Sequence, residues 1–174
     1  MRYSVYFFLV EPTKLNAFFS DQEAPERVVQ HLKSKRPRAQ PKDCDQVRET
    51  IRLLQENSLG SPAETYRFES FLWALDLLGE PINLSTLVNF NRYNYFSNSA
   101  MYPQLRKHQP VLPVPNSNSA PEVLFLPSSA FQDTIISIRN ECKADECRAA
   151  EEEVADILES ATEESIDLWG ISID

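Results

Sequence analysis

Ser61–Gly79 reads SPAETYRFESFLWALDLLG, and its spacing predicts a buried helix on which the rest of the chain packs. Ser61 can cap, Pro62 suits the first helical position, and Glu64 completes a capping box with Ser61. Apolar groups then recur at Phe68, Phe71, Leu72, Leu75 and Leu78, a period of 3.6 residues. Trp73, Ala74 and Leu77 widen that stripe until little of the later turns suits water. Gly79 is a natural C-cap. The stretch carries no recognisable chemistry.

Outward from it, 174 residues are enough for one domain with a proper core. The apolar fraction of 42% and charged fraction of 25% are those of an ordinary folded chain. Three glycines against twelve prolines exclude folds built on glycine-rich phosphate loops. No leader pattern opens the chain, and no run of eighteen apolar residues is present. Cys44, Cys142 and Cys147 are an odd set without a framework, which fits a reducing cytoplasm.

A net charge of −9 opposes general nucleic-acid binding. From Glu141 to Asp174 twelve acids face two bases, a net of −10, so the first 140 residues sum to +1. Lys33, Lys35, Arg36, Arg38 and Lys42 form a basic cluster, read as a loop over 34–42.

Tyr3–Val10 is the best strand, continuous enough to be covered on both faces. Short helices follow to Phe19 and over Pro25–Lys33. Asp43 can cap a helix carrying Val47, Ile51 and Leu54, which should pair with the central one. Pro81–Phe90 reads as a further helix. Residues 91–121 hold Asn, Pro, Ser and aromatics without a period, with Val111–Val114 as the best strand candidate among them. Glu122–Leu126 is a strand, and Pro127-Ser128-Ser129 starts a helix with Phe131, Ile135, Ile138 and Cys142 inward. The last helix, Asp145–Thr162, should bury Val154, Ile157, Leu158 and Ala161 and turn Glu151, Glu152, Glu153, Asp156 and Glu159 mostly outward. Ile166–Ile173 reads as a strand beside the first. The expectation is one α+β domain over 1–174, several helices on a small mixed sheet that includes both terminal strands, with an irregular segment at 91–121.

YSVYFFLVEPTKLNAFF at the start, LFLPSSAFQDTI in the middle and the acidic helix running into SIDLWGISID resemble the YfbM-like proteins, a group of small bacterial proteins. The resemblance covers about half of the chain. It implies helices against a small sheet, and it carries over no activity and no site residues. The 91–121 segment and the Ile173-Asp174 ending depart from the pattern.

No metal and no cofactor is expected. His31 and His108 lack partners at i+4, and Cys142 and Cys147 diverge on a helix. No G-x-S-x-G turn is present, and Asp43 and Asp45 flank Cys44 against a thiolate. No catalytic set emerges. The candidate interaction surface is Arg92, Tyr93, Tyr95, Phe96, Tyr102, Arg106 and His108, aromatics with cations that anchor interfaces, together with Glu152 and Asp156. The expectation is a cytoplasmic, non-enzymatic interaction protein, immunity- or inhibitor-like, meeting a protein partner or a second copy. Two alternatives stand beside it: a small-molecule-binding protein or enzyme with a pocket lined by 91–121, and a structural homo-oligomeric subunit.

Overall fold

The computed structural model describes residues 4–56, 65–82, 97–110, 122–141, 145–162 and 165–173. The two terminal strands, β1 (Ser4–Val10) and β4 (Asp167–Ile173), are the central pair of a four-stranded sheet. β2 (Glu80–Pro81) flanks β1, and β3 (Glu122–Leu126) flanks β4, giving the order β2-β1-β4-β3. Phe7 and Leu124 lie opposite Gly170 from its two sides. All three pairings are antiparallel.

The unbroken apolar run of β1 has a physical reason: helices cover both faces of the sheet. Phe8, Val10, Val123, Phe125, Trp169 and Ile171 point to one side. There they meet α1 (Pro12–Phe19), α2 (Ala24–Lys35), α3 (Pro41–Gln55) and α4 (Thr65–Leu78). Val5, Phe7, Leu124, Leu126 and Leu168 point to the other. That side takes α5 (Met101–Lys107), α6 (Phe131–Glu141) and α7 (Asp145–Ala161). The molecule is a single α+β domain of three layers.

α4 is the central helix that its spacing predicts. Phe71, Ala74 and Leu75 are at most 1% exposed, and the Phe71 ring stands edge-on to Trp169 at 5.6 Å. Its expected cap, Ser61 to Glu64, lies outside the described residues. Gly79 ends the helix by donating its N–H to the Leu75 carbonyl at 2.8 Å. A Cβ there would sit 2.7 Å from Val10 Cγ2 and 2.8 Å from the Leu9 carbonyl oxygen, so glycine lets α4 close directly onto β1.

Several boundaries differ from the sequence reading. Pro81 sits in β2 rather than opening a helix, and 83–90 lie outside the described residues. Lys33 and Lys35 belong to the last turn of α2 and Lys42 to the first of α3, so the basic loop shrinks to a turn over 36–40. Asp43 serves α3 from its third position, accepting the Gln40 N–H at 2.9 Å, because Pro41 already starts the helix. Within the segment read as irregular, Met101–Lys107 is helical. Val111–Val114 lie outside the described residues. Among those residues no helix is long and apolar enough to cross a membrane.

Candidate functional site

α5 is a short helix fastened to the sheet by buried charge. Tyr102 and Arg106 are one turn apart, so their side chains share a face. Both reach Glu122 at the start of β3. Tyr102 donates its hydroxyl to Glu122 Oε1 at 3.0 Å, and Arg106 Nη1 donates to Oε2 at 2.6 Å. The guanidinium also lies 5.9 Å from the centre of the Tyr102 ring. Glu122 is 1% exposed while the Arg106 side chain is 30% exposed, so this cluster meets water through its cation. Burial works against that cation, but the hydrogen bond and charge of Glu122, helped by Tyr102, outweigh it. The guanidinium is held above its ordinary value.

The helix start is held from the opposite element. Glu151 of α7, also 1% exposed, accepts the Met101 N–H on Oε1 at 3.1 Å. Ser99 takes the next amide, that of Tyr102, at 3.2 Å. The first amides of a helix have no partner within it, and a carboxylate suits the positive end of the helix dipole. In the register of β3 on β4, Glu122 stands opposite Ser172. Cross-strand partners share a face of the sheet. Ser172 is fully buried, and its hydroxyl makes no hydrogen bond among the described residues.

Of the residues singled out in the sequence, Tyr102 and Arg106 are therefore brought together. His108 is not part of that cluster. It lines a groove of about 480 Å³ between α5 and α6 with Gln104, Lys107, Ser129, Asp133, Ser137 and Glu141. Gln104 spans this groove by donating to Ser137 Oγ at 2.9 Å. Glu152 and Asp156 are exposed on the outer side of α7. Asp156 shares Arg139 with Glu159, at 3.4 and 2.8 Å. Hydrogen bonding and charge from Arg139 hold the Glu159 carboxyl below its usual range. Arg92, Tyr93, Tyr95 and Phe96 lie outside the described residues.

Glu122 and Glu151 are the two residues that sequence reasoning missed. The sequence reading turns Glu151 to the outer face of its helix, and the structure buries it. Its spacing with Val154, Ala155 and Leu158 is i, i+3, i+4 and i+7, the signature of the buried stripe. The alternation of β3 likewise puts Glu122 on the face of Leu124 and Leu126.

Other groupings do less. His31 Nε2 lies 2.6 Å from Asp76 Oδ2, with the edge of Trp73 against the imidazole. The pair is a carboxylate and a ring, and no hydroxyl or thiol joins it among the described residues. Cys44 is a buried free thiol in α3. Among the described residues no three His, Cys, Asp or Glu side chains converge as a metal site would require. No family model matches the chain, and neither do curated proteins or solved structures.

Proposed function

We propose that the protein is a non-enzymatic interaction module, immunity- or inhibitor-like, that binds a partner through the acidic outer face of α7. The observation that carries this reading is where the charge stands. The C-terminal net of −10 is carried in part by Glu152, Asp156 and Glu159, which are exposed along one helix. The Asp156 side chain is 76% and that of Glu159 53% exposed, and a single Arg139 serves both. Such a surface attracts a basic partner over several ångströms and orders the encounter before contact. A cytoplasmic setting belongs to the same proposal. So does kinship with the YfbM-like proteins, which rests on the terminal and middle segments and assigns no activity.

The test is capture of partners from the protein's own cells, with wild type and E152K/D156K as baits and a rising salt gradient. A near one-to-one partner that leaves as salt rises and fails to bind the variant is the expected result. Identical partners on both baits would overturn the reading. One observation favours a second reading. The groove of His108 has the size of a small-molecule site, about 300 Å³ or more. A metabolite that binds saturably to wild type and not to H108A would select it.

A further inference from the structure

The turn between α2 and α3 collects five cations, and the fold pairs only some of them with carboxylates among the described residues. Lys33, Lys35, Arg36, Arg38 and Lys42 are all exposed. Arg36 is engaged, 2.7 Å from Glu69 and stacked 4.9 Å over Trp73, and Lys35 is 3.9 Å from Asp76. The side chains of Lys33, Arg38 and Lys42 make no hydrogen bond or ion pair among the described residues, and Lys33 acts on Glu26 only at a distance. Lys33 and Lys35 close α2, where a helix dipole welcomes cations. Lys42 stands in the first turn of α3, where the dipole opposes one, so local helix stability does not account for it.

This basic turn and the acidic face of α7 stand on opposite sides of the sheet. α2 and α3 pack on the face of Phe8 and Trp169, α7 on that of Phe7 and Leu168. One molecule cannot bring the two together; two molecules can. We propose that the basic α2–α3 turn of one copy docks on the acidic outer face of α7 of a second copy. This rests on the reading of α7 as a contact surface and adds a second copy of the chain to what that surface can bind. The contact joins two different surfaces, so it is heterologous. The bound pair still presents one free basic turn and one free acidic face, and assembly continues unless a ring closes.

Exposed charge pairs are individually weak, so the association is weak and salt-dependent. Sedimentation velocity over a concentration series reads it directly. At about 0.01 M salt, where charges are felt over ~30 Å, wild-type mass should rise with concentration. At about 1 M, where screening leaves ~3 Å, it should fall to a single chain. K33E/R38E and E152K/D156K should each weaken association about tenfold or more, since each sets like charges face to face. The quadruple variant carrying both changes keeps the net charge of −9 and swaps the sign of two charges on each surface. It should recover part of the association that each double variant loses. If E152K/D156K loses its circular-dichroism signature, E152Q/D156N replaces it, again with weakened association expected.

A single-chain wild type at low salt overturns the inference, and so does a quadruple variant as weak as its parents. A single-chain wild type that binds an RNA oligomer, with binding lost in K33E/R38E, overturns it in favour of a nucleic-acid surface. If the wild type is a single chain and yet E152K/D156K still releases a cellular partner, the second-copy inference falls while the reading of α7 stands.

Discussion

On the side of the sheet that carries Phe8, Phe125 and Trp169, the helices attach through rings and aliphatic chains. Phe71, Trp169 and Phe125 meet in sequence, edge-on and then tilted, with centres 5.6 and 4.8 Å apart. The charged contacts of that layer lie at its surface, as with Arg48 between Glu26 and Asp45, or half-buried, as with His31 and Asp76, and among the described residues none of them reaches the sheet. On the other side α6 and α7 pack in the same apolar manner, but α5 is held by Glu122 and Glu151 as well as by Met101 and Leu105. The difference follows from length. α5 has seven residues and two buried apolar anchors, too little for an isolated helix to persist or to fix its own position. Apolar contact rewards burial without much regard to direction. Charged hydrogen bonds reward one geometry, so buried carboxylates can set the place of a helix that packing alone would leave adjustable.

The first way to break this contrast is to attack the apolar layer. F71A removes a ring that is 1% exposed at the meeting of α4 with Trp169 and should cost about 3–5 kcal/mol in urea unfolding. It should lower the whole transition with one midpoint for fluorescence and circular dichroism, because the layer is contiguous. A cost smaller than that of the α5 substitution below would reverse the ranking of the two layers.

R106M is the corresponding attack on the polar attachment. It leaves the Glu122 carboxylate buried with Tyr102 but without its cation. Stranding a buried charge typically costs about 3–5 kcal/mol, and the 30% exposure of Arg106 argues for the lower end, about 3. R106M/E122M, which removes both charges, should recover most of that loss. Failure of the double variant to recover would mean that the ion pair itself, rather than the penalty for breaking it, stabilises the fold.

The same contrast decides what was legible in the sequence. The apolar layer announces itself locally: the period of α4, the triplet Val47, Ile51 and Leu54, and the continuous β1 all mark burial from neighbours a few residues away. The central β1–β4 pair was legible too, since both terminal runs are apolar on two faces. The α5 attachment depends on partners far apart in the chain. Tyr102 and Glu122 are separated by 20 residues and Met101 and Glu151 by 50, so no window contains them. α5 itself is hidden by its length and by Pro103, which ends helices elsewhere but is tolerated within a first turn. Glu151 was the exception, because its stripe was readable and the charge alone argued it outward. The pairing of Asp156 and Glu159 with Arg139 needed the packing of α6 on α7 and could not be read from composition.

The smallest effect tests the join between the α6 side and the sheet by pH. Asp167 opens β4 and accepts the Ser128 N–H at 3.0 Å, just ahead of α6. Burial pushes its carboxyl above the ordinary 3.8, and the Ser128 hydrogen bond only partly offsets this. A carboxyl raised by folding contributes stability that is fully present below the unfolded value and is lost as pH rises through the folded one. At pH 7 the ionised Asp167 is therefore a cost. An asparagine side chain in its place would keep an acceptor oxygen for Ser128 without the charge. D167N should accordingly melt higher than wild type at pH 7, by less than either loss above. The advantage should close as pH falls through the carboxylate range. Asp21, Glu26 and Glu159 shift the other way, lowered by hydrogen bonds and by nearby arginines. They weaken both proteins alike on acidification and cancel in the difference. A D167N protein that melts lower at pH 7, with the gap closing in acid, would show that attraction between the carboxylate and the amides at the helix start outweighs burial. Charge would then stabilise a second attachment on this side of the sheet, and the contrast between the layers would widen.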